Sequence, residues 1–249
     1  MRRVKIILSY DGSLFYGFQR QSGKTVFKTV MGDVEKALNA LNIHSPIVGA
    51  GRTDTGVHAL GQVIHCDIPP FWKDLSALTF HLNTLVHPSI HIKAIEAVQS
   101  TFHARFDAQK RLYRYIMYDG VYKPFLANYA LHVKTLDISQ LHAYAKVLEG
   151  SHDFGFFKKE GGGATSDYRT LFKAGAYRYK NFIVLYFLGD AFLRSQVRLM
   201  SGMLLGVCDG KITHEALVAQ RDKVTKSFMT PIPSCGLYLS RIYYNTKRY

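Results

Sequence analysis

The run Val4-Lys5-Ile6-Ile7-Leu8-Ser9-Tyr10 is rich in branched apolar residues and stops at the turn pair Asp11-Gly12, which predicts a strand over residues 4–10. From Gly32 to Leu41 the apolar positions fall at Val34, Ala37, Leu38 and Leu41, the spacing of one helix face. Gln62 to Ile68 alternates weakly and reads as a strand, and Leu75 to Leu85 as a helix ending before Pro88. Ile90, Ile92, Ile95 and Val98 place a strand over 89–98, with a break in phase near Ala94.

A second series follows. Arg111 to Tyr118 is a strand by its aromatic and branched content. Ile138 to Leu148 is an amphipathic helix, and Leu171–Tyr179 with Phe182–Leu188 forms a hairpin across Lys180-Asn181. Val197–Val207 and Glu215–Arg221 read as helices and Leu237–Tyr243 as a closing strand. Both series run strand, helix, strand, helix, strand. The expected fold is α+β: two related halves, each a mostly antiparallel sheet backed by helices, with the join near 104–111 and domains over 1–107 and 108–249. Lys158 to Ser166 stands apart; Gly161, Gly162 and Gly163 predict a mobile surface loop whose lysines can reach phosphate.

Charge narrows the partner. Thirty-two Lys and Arg against 18 Asp and Glu leave a formal +14, an excess that draws a chain toward polyanions. With 13% aromatics in the same chain, the pairing suits RNA, where cations hold phosphates and rings stack on unpaired bases. Cys66, Cys208 and Cys235 lie far apart without zinc spacing, and an odd number argues against a closed disulfide framework. The apolar run after Arg2-Arg3 is too short for a signal peptide, and no stretch is long enough to span a membrane. A cytoplasmic protein with reduced thiols is expected.

The most unusual segment is Gly49-Ala50-Gly51-Arg52-Thr53-Asp54-Thr55-Gly56-Val57-His58-Ala59, ahead of the strand predicted at 62–68. Glycines allow tight backbone paths and close approach of a ligand, so a carboxylate between them can be presented to a substrate. The plain alternative is a tight loop whose Arg52 and Asp54 pair at the surface.

The same segment resembles the Gly-Arg-Thr-Asp-x-Gly-Val-His-Ala signature of the TruA family of tRNA pseudouridine synthases. Further blocks match in order: Tyr10-Asp11-Gly12 through Gly17-Phe18-Gln19-Arg20-Gln21, Phe102-His103-Ala104-Arg105-Phe106, Arg111-x-Tyr113-Arg114-Tyr115, Phe192-Leu193 through Val197-Arg198, and Gly236-Leu237-Tyr238-Leu239. The departures are Phe18 where Trp is usual, Met31 for Gln, Leu199 for Asn, and Arg194-Ser195-Gln196 where aromatic, His and Met residues are more common.

The resemblance implies an isomerase that turns uridine into pseudouridine at positions 38 to 40 of the tRNA anticodon stem–loop, working as a homodimer. Its site would lie in a cleft between the halves. The reaction breaks N1–C1′ and joins C5 to C1′. It is redox-neutral and needs no metal, nucleotide or other small-molecule cofactor. It does need a carboxylate that attacks C1′ or C6 or abstracts a proton, and Asp54 stands at the family's catalytic position. By the same analogy Arg198 supplies a fixed cation and Tyr113 a ring under the flipped uracil. Leu237 matches an apolar wall of the pocket. Arg52 matches a phosphate or base-flipping contact, and Arg20, Arg105, Arg169 and Asn83 match RNA-contacting positions. Each has a plainer reading: core residues for Tyr113 and Leu237, solvated surface for the arginines, a helix cap for Asn83. His58 and His103 read as structural.

Two other classes compete. An RNA-binding α+β protein without catalysis accounts for the charge and aromatics but leaves the glycine-framed Asp54 unexplained. A metal-dependent hydrolase calls for grouped carboxylates, whereas the 13 Asp and five Glu are scattered.

Overall fold

The structure is a computed structural model that describes residues 1–21, 27–161, 163 and 165–245. Its contacts divide the chain into two compact units, Met1–Gln109 with Leu239–Tyr249, and Lys110–Tyr238. Both are α+β, with mostly antiparallel sheet backed by helices.

In the first unit, strand β1 (Arg2–Tyr10) buries Val4, Ile6, Leu8 and Tyr10 on alternate positions, as a half-covered strand must. It is followed by α1 (Val30–Ala40), β2 (Val48–Gly49), β3 (His58–Ile68), α2 (Leu75–Val86) and β4 (Ile90–Ala97). β1 lies between β4 and β3, antiparallel to both, while β2 pairs with β3. The break in phase near Ala94 is a bulge: Ile7 pairs with Ala94 but Leu8 with Ile92, leaving Lys93 over. Helix α1 starts at Val30 because the Thr29 hydroxyl accepts from the Gly32 N–H at 3.2 Å.

The strand expected from Gln62 begins four residues earlier, at His58. Gly61 hides this extension in the pattern. A Cβ there would stand 2.8 Å from the Ser240 carbonyl oxygen, so the residue is glycine for close strand approach. Ser240 belongs to β10 (Leu237–Tyr244), which neighbours β3 and joins the first unit from Leu239 onward.

The second unit orders its strands β5 (Ala108–Tyr118), β9 (Phe182–Gly189), β8 (Tyr168–Tyr179), β7 (Gly150–Asp153), with β6 (Leu131–His132) parallel on β5. The expected hairpin is present: Tyr179 pairs with Phe182 and Lys180 takes φ +52°. Helices are α3 (Ile138–Lys146), α4 (Gln196–Cys208) and α5 (His214–Arg221). Beyond the end of β7, the outer amides of β8 are met by side chains; the Ala174 N–H donates to Glu149 at 2.8 Å and the Ala176 N–H to His142 at 3.2 Å. That covers an edge otherwise open to pairing. In the glycine-rich stretch, Gly162 and Ala164 lie outside the described residues. Among the described residues no helix is long and apolar enough to cross a membrane.

Candidate active site

Asp54 lies on the loop that joins β2 to β3 in the first unit, half-buried, with Arg52 exposed beside it. This loop is pinned along its length. The Gly51 carbonyl accepts from the Gln62 side-chain amide at 2.9 Å, and the Thr53 carbonyl from the Phe18 N–H at 3.1 Å. The Val57 N–H turns back onto the Asp54 carbonyl at 3.1 Å. The Thr53 hydroxyl bonds the Tyr10 phenol at 2.8 Å.

Two glycines from the preceding block press on the same loop. A Cβ on Gly12 would stand 2.1 Å from the Val57 carbonyl oxygen. Gly17 has φ +93°, and a Cβ there would lie 2.9 Å from the Thr53 carbonyl oxygen. His58 is buried and its Nδ1 accepts from the Gly12 N–H at 3.0 Å, a structural tie. His103 likewise closes a turn, its Nδ1 accepting from the Arg105 and Phe106 N–H groups at 3.2 Å each. Phe18, where Trp is usual, is buried against Gly49 and stacks with Tyr10 at 6.4 Å.

In the second unit, Tyr113 is buried in β5 and meets Phe192 edge to face, with centroids 5.0 Å apart. Arg198 is half-buried on the first turns of α4, and its Nε donates to the Ile232 carbonyl at 2.8 Å. The next carbonyl but none between, Pro233, accepts from the Tyr115 hydroxyl at 2.5 Å. Burial pushes the Tyr115 phenol far above its ordinary range, against the opposing charge of Arg198. The segment held in this way runs directly into buried Leu237, whose N–H donates to Ser234 at 2.9 Å.

The departing triplet Arg194-Ser195-Gln196 has local work. Arg194 donates to the Glu160 carbonyl at 2.7 Å, Ser195 holds a left-handed φ of +58°, and buried Gln196 accepts the Leu193 N–H at 2.8 Å.

The remaining arginines are dispersed. Exposed Arg20 pairs with Glu35 at 3.1 Å, and Arg105 lies over the Phe106 ring at 5.9 Å. Arg169, at the start of β8, donates to the Ser166 carbonyl at 2.9 Å, while its buried Nε has no hydrogen-bond partner among the described residues. Asn83 uses its amide on β4, donating to the Ile92 carbonyl at 2.9 Å and accepting the Ile92 N–H at 2.7 Å. In the sequence Tyr10 and Thr53 stand only as parts of matched blocks, and Gln62 only as the start of a strand. No signal in the sequence singled out Gln62, whose strand also carries His58, His65 and Asp67. Among the described residues no group of three or more His, Cys, Asp or Glu is arranged to hold a metal ion.

An α+β chain in two units, with a carboxylate on a glycine-framed loop and a strong excess of cationic residues, suits an enzyme that acts on RNA. The chain belongs to the tRNA pseudouridine synthase family, whose sequence model matches residues 6–107 and again 144–245. The double match bears out two related halves. It is 42% identical over 250 residues to the tRNA pseudouridine synthase A of Helicobacter pylori, covering 98% of this chain and 100% of that protein. It is 39% identical over 244 residues to the tRNA pseudouridine synthase A of Campylobacter jejuni, with the same coverage. By family, then, this is an isomerase that acts on tRNA.

Proposed function

We propose that the chain isomerises uridine to pseudouridine at positions 38, 39 and 40 of the anticodon stem–loop, with Asp54 as the catalytic carboxylate. The observation that carries this is the half-buried Asp54 on a loop whose Gly51, Thr53 and Asp54 carbonyls each accept a hydrogen bond. Such a loop presents a reactive group without needing to order it at each turnover. Atoms balance without a redox partner: N1–C1′ breaks, C5–C1′ forms, a proton leaves C5 and one is gained at N1. Tyr113 serves as the ring on which the flipped base stacks, and Arg198 as the fixed cation of the reaction. Leu237 lines the base pocket, while Arg52, Arg20, Arg105, Arg169 and Asn83 contact the RNA. The working form is a homodimer in the cytoplasm, in keeping with the sequence resemblance, and the +14 formal charge suits the tRNA partner.

Release of tritium from tRNA labelled at uridine C5 tests this directly, because joining C5 to C1′ expels that hydrogen. Wild type should release it from substrates carrying a single labelled uridine at 38, 39 or 40. Asp54→Asn should fall by at least about 10³-fold while still binding tRNA. Equal release by both proteins would remove Asp54 from the chemistry; release from none of the three positions would overturn the substrate assignment.

A further inference from the structure

We infer that Tyr10, Thr53 and Gln62 act together as positioning residues for Asp54, setting the angle at which its carboxylate meets the uridine. The inference rests on Asp54 being the catalytic group.

The three side chains form one connected set inside the first unit. The Tyr10 hydroxyl lies 2.8 Å from the Thr53 hydroxyl, and the Gln62 side chain interacts with the same phenol, favouring its ionised form. Gln62 continues to the Gly51 carbonyl at 2.9 Å, while its own carbonyl oxygen accepts the Val63 N–H at 3.1 Å. The set therefore grips the loop at the residue before Asp54 and again three residues before it. A buried amide and two buried hydroxyls are costly unless fully bonded. An apolar core would close the same space without that cost. The chain nonetheless places three of its eight buried polar side chains, Thr53, His58 and Gln62, between residues 53 and 62 of the described structure. Burial also pushes the Tyr10 phenol up to about 12, so it stays protonated and able to donate at any working pH. Directional bonds of this kind fix a backbone more sharply than packing does, and a displacement of about 1 Å at a reacting group can cost about 10²-fold in rate.

The test compares kcat and KM for tritium release in Tyr10→Phe, Thr53→Val, Thr53→Ser and the Tyr10→Phe/Thr53→Val double variant, with Asp54→Asn alongside. Tyr10→Phe and Thr53→Val should each lower kcat about 10- to 100-fold, leaving KM for tRNA within about twofold. Thr53→Ser keeps the hydroxyl and should restore kcat to near wild type. The double variant should lose little more than either single one, because both delete the same bond. If Tyr10→Phe does not fold, Thr53→Val against Thr53→Ser decides alone. Wild-type kcat in Thr53→Val and Tyr10→Phe, beside an inactive Asp54→Asn, would overturn the positioning role and leave the catalytic reading standing. An active Asp54→Asn would overturn both.

Discussion

The Asp54 loop and the start of α4 solve the same problem by opposite means. In the first unit the proposed catalytic Asp54 sits on a loop that other groups hold: the Gln62 amide at Gly51, the Tyr10 hydroxyl at Thr53 and the Phe18 backbone N–H at the Thr53 carbonyl. In the second unit Arg198 sits on a helix whose backbone needs no such help. There the Arg198 side chain itself reaches out to the Ile232 carbonyl, with Tyr115 holding Pro233 beside it. On the proposed roles, support and chemistry are divided among different residues around Asp54 but combined in Arg198.

That contrast makes a separable prediction. Asp54→Asn should abolish turnover with little change in Tm, since asparagine keeps the side chain's size and the carbonyl anchors at Gly51 and Thr53 remain. Arg198→Met should lower turnover about 10²-fold and also destabilise the chain by about 1–3 kcal/mol, because the Ile232 carbonyl loses a charged donor. Thermal melts beside tritium release will show it; an Arg198→Met protein with unchanged Tm would break the comparison.

Tyr115→Phe gives the intermediate case. It leaves the Pro233 carbonyl without its donor and should cost about 1–3 kcal/mol, several degrees in Tm, with kcat reduced only a few-fold. Tyr10→Phe should show the reverse balance, a larger loss in kcat than in Tm. Matching profiles for the two tyrosines would mean that both are ordinary core supports.

The smallest effect belongs to ion pairs away from both segments. Arg3 binds Asp67 through two bonds of 2.8 and 2.9 Å, and Arg178 binds Asp119 at 3.1 and 2.8 Å. Each arginine holds its partner carboxyl below the usual carboxylate range. The folded state therefore favours the ionised form. Its contribution is complete above the unfolded carboxylate pKa of about 3.9 and disappears as pH falls through the lower, folded value. Asp67→Asn should cost under about 1 kcal/mol at pH 7, flatten the acid limb of a stability–pH curve, and leave kcat at neutral pH unchanged. An unaltered acid limb would show that the Arg3–Asp67 pair adds nothing.

Most elements were legible because apolar runs of seven or more residues leave a pattern: β1 buries alternate positions from Val4 to Tyr10, α1 buries Val30, Val34, Ala37 and Leu38 on one face, and β9 and α4 are long apolar runs buried on more than one side. The short strands β2, β6 and β7 span two to four residues, too few for any period to register. The early start of β3 was hidden by Gly61, which serves the passage of Ser240 rather than the strand's own pattern.

For the site, the sequence by itself determined the family, the Asp54 segment, and the order of the matched blocks, because these are local strings of residue types. Only the tertiary structure decided what holds them. Tyr10 meets Thr53 across 43 residues, Asn83 spends its amide on Ile92, and Arg198 grips Ile232 across 34. A hydrogen bond depends on where two distant atoms come to lie, and neither propensity nor spacing carries that information.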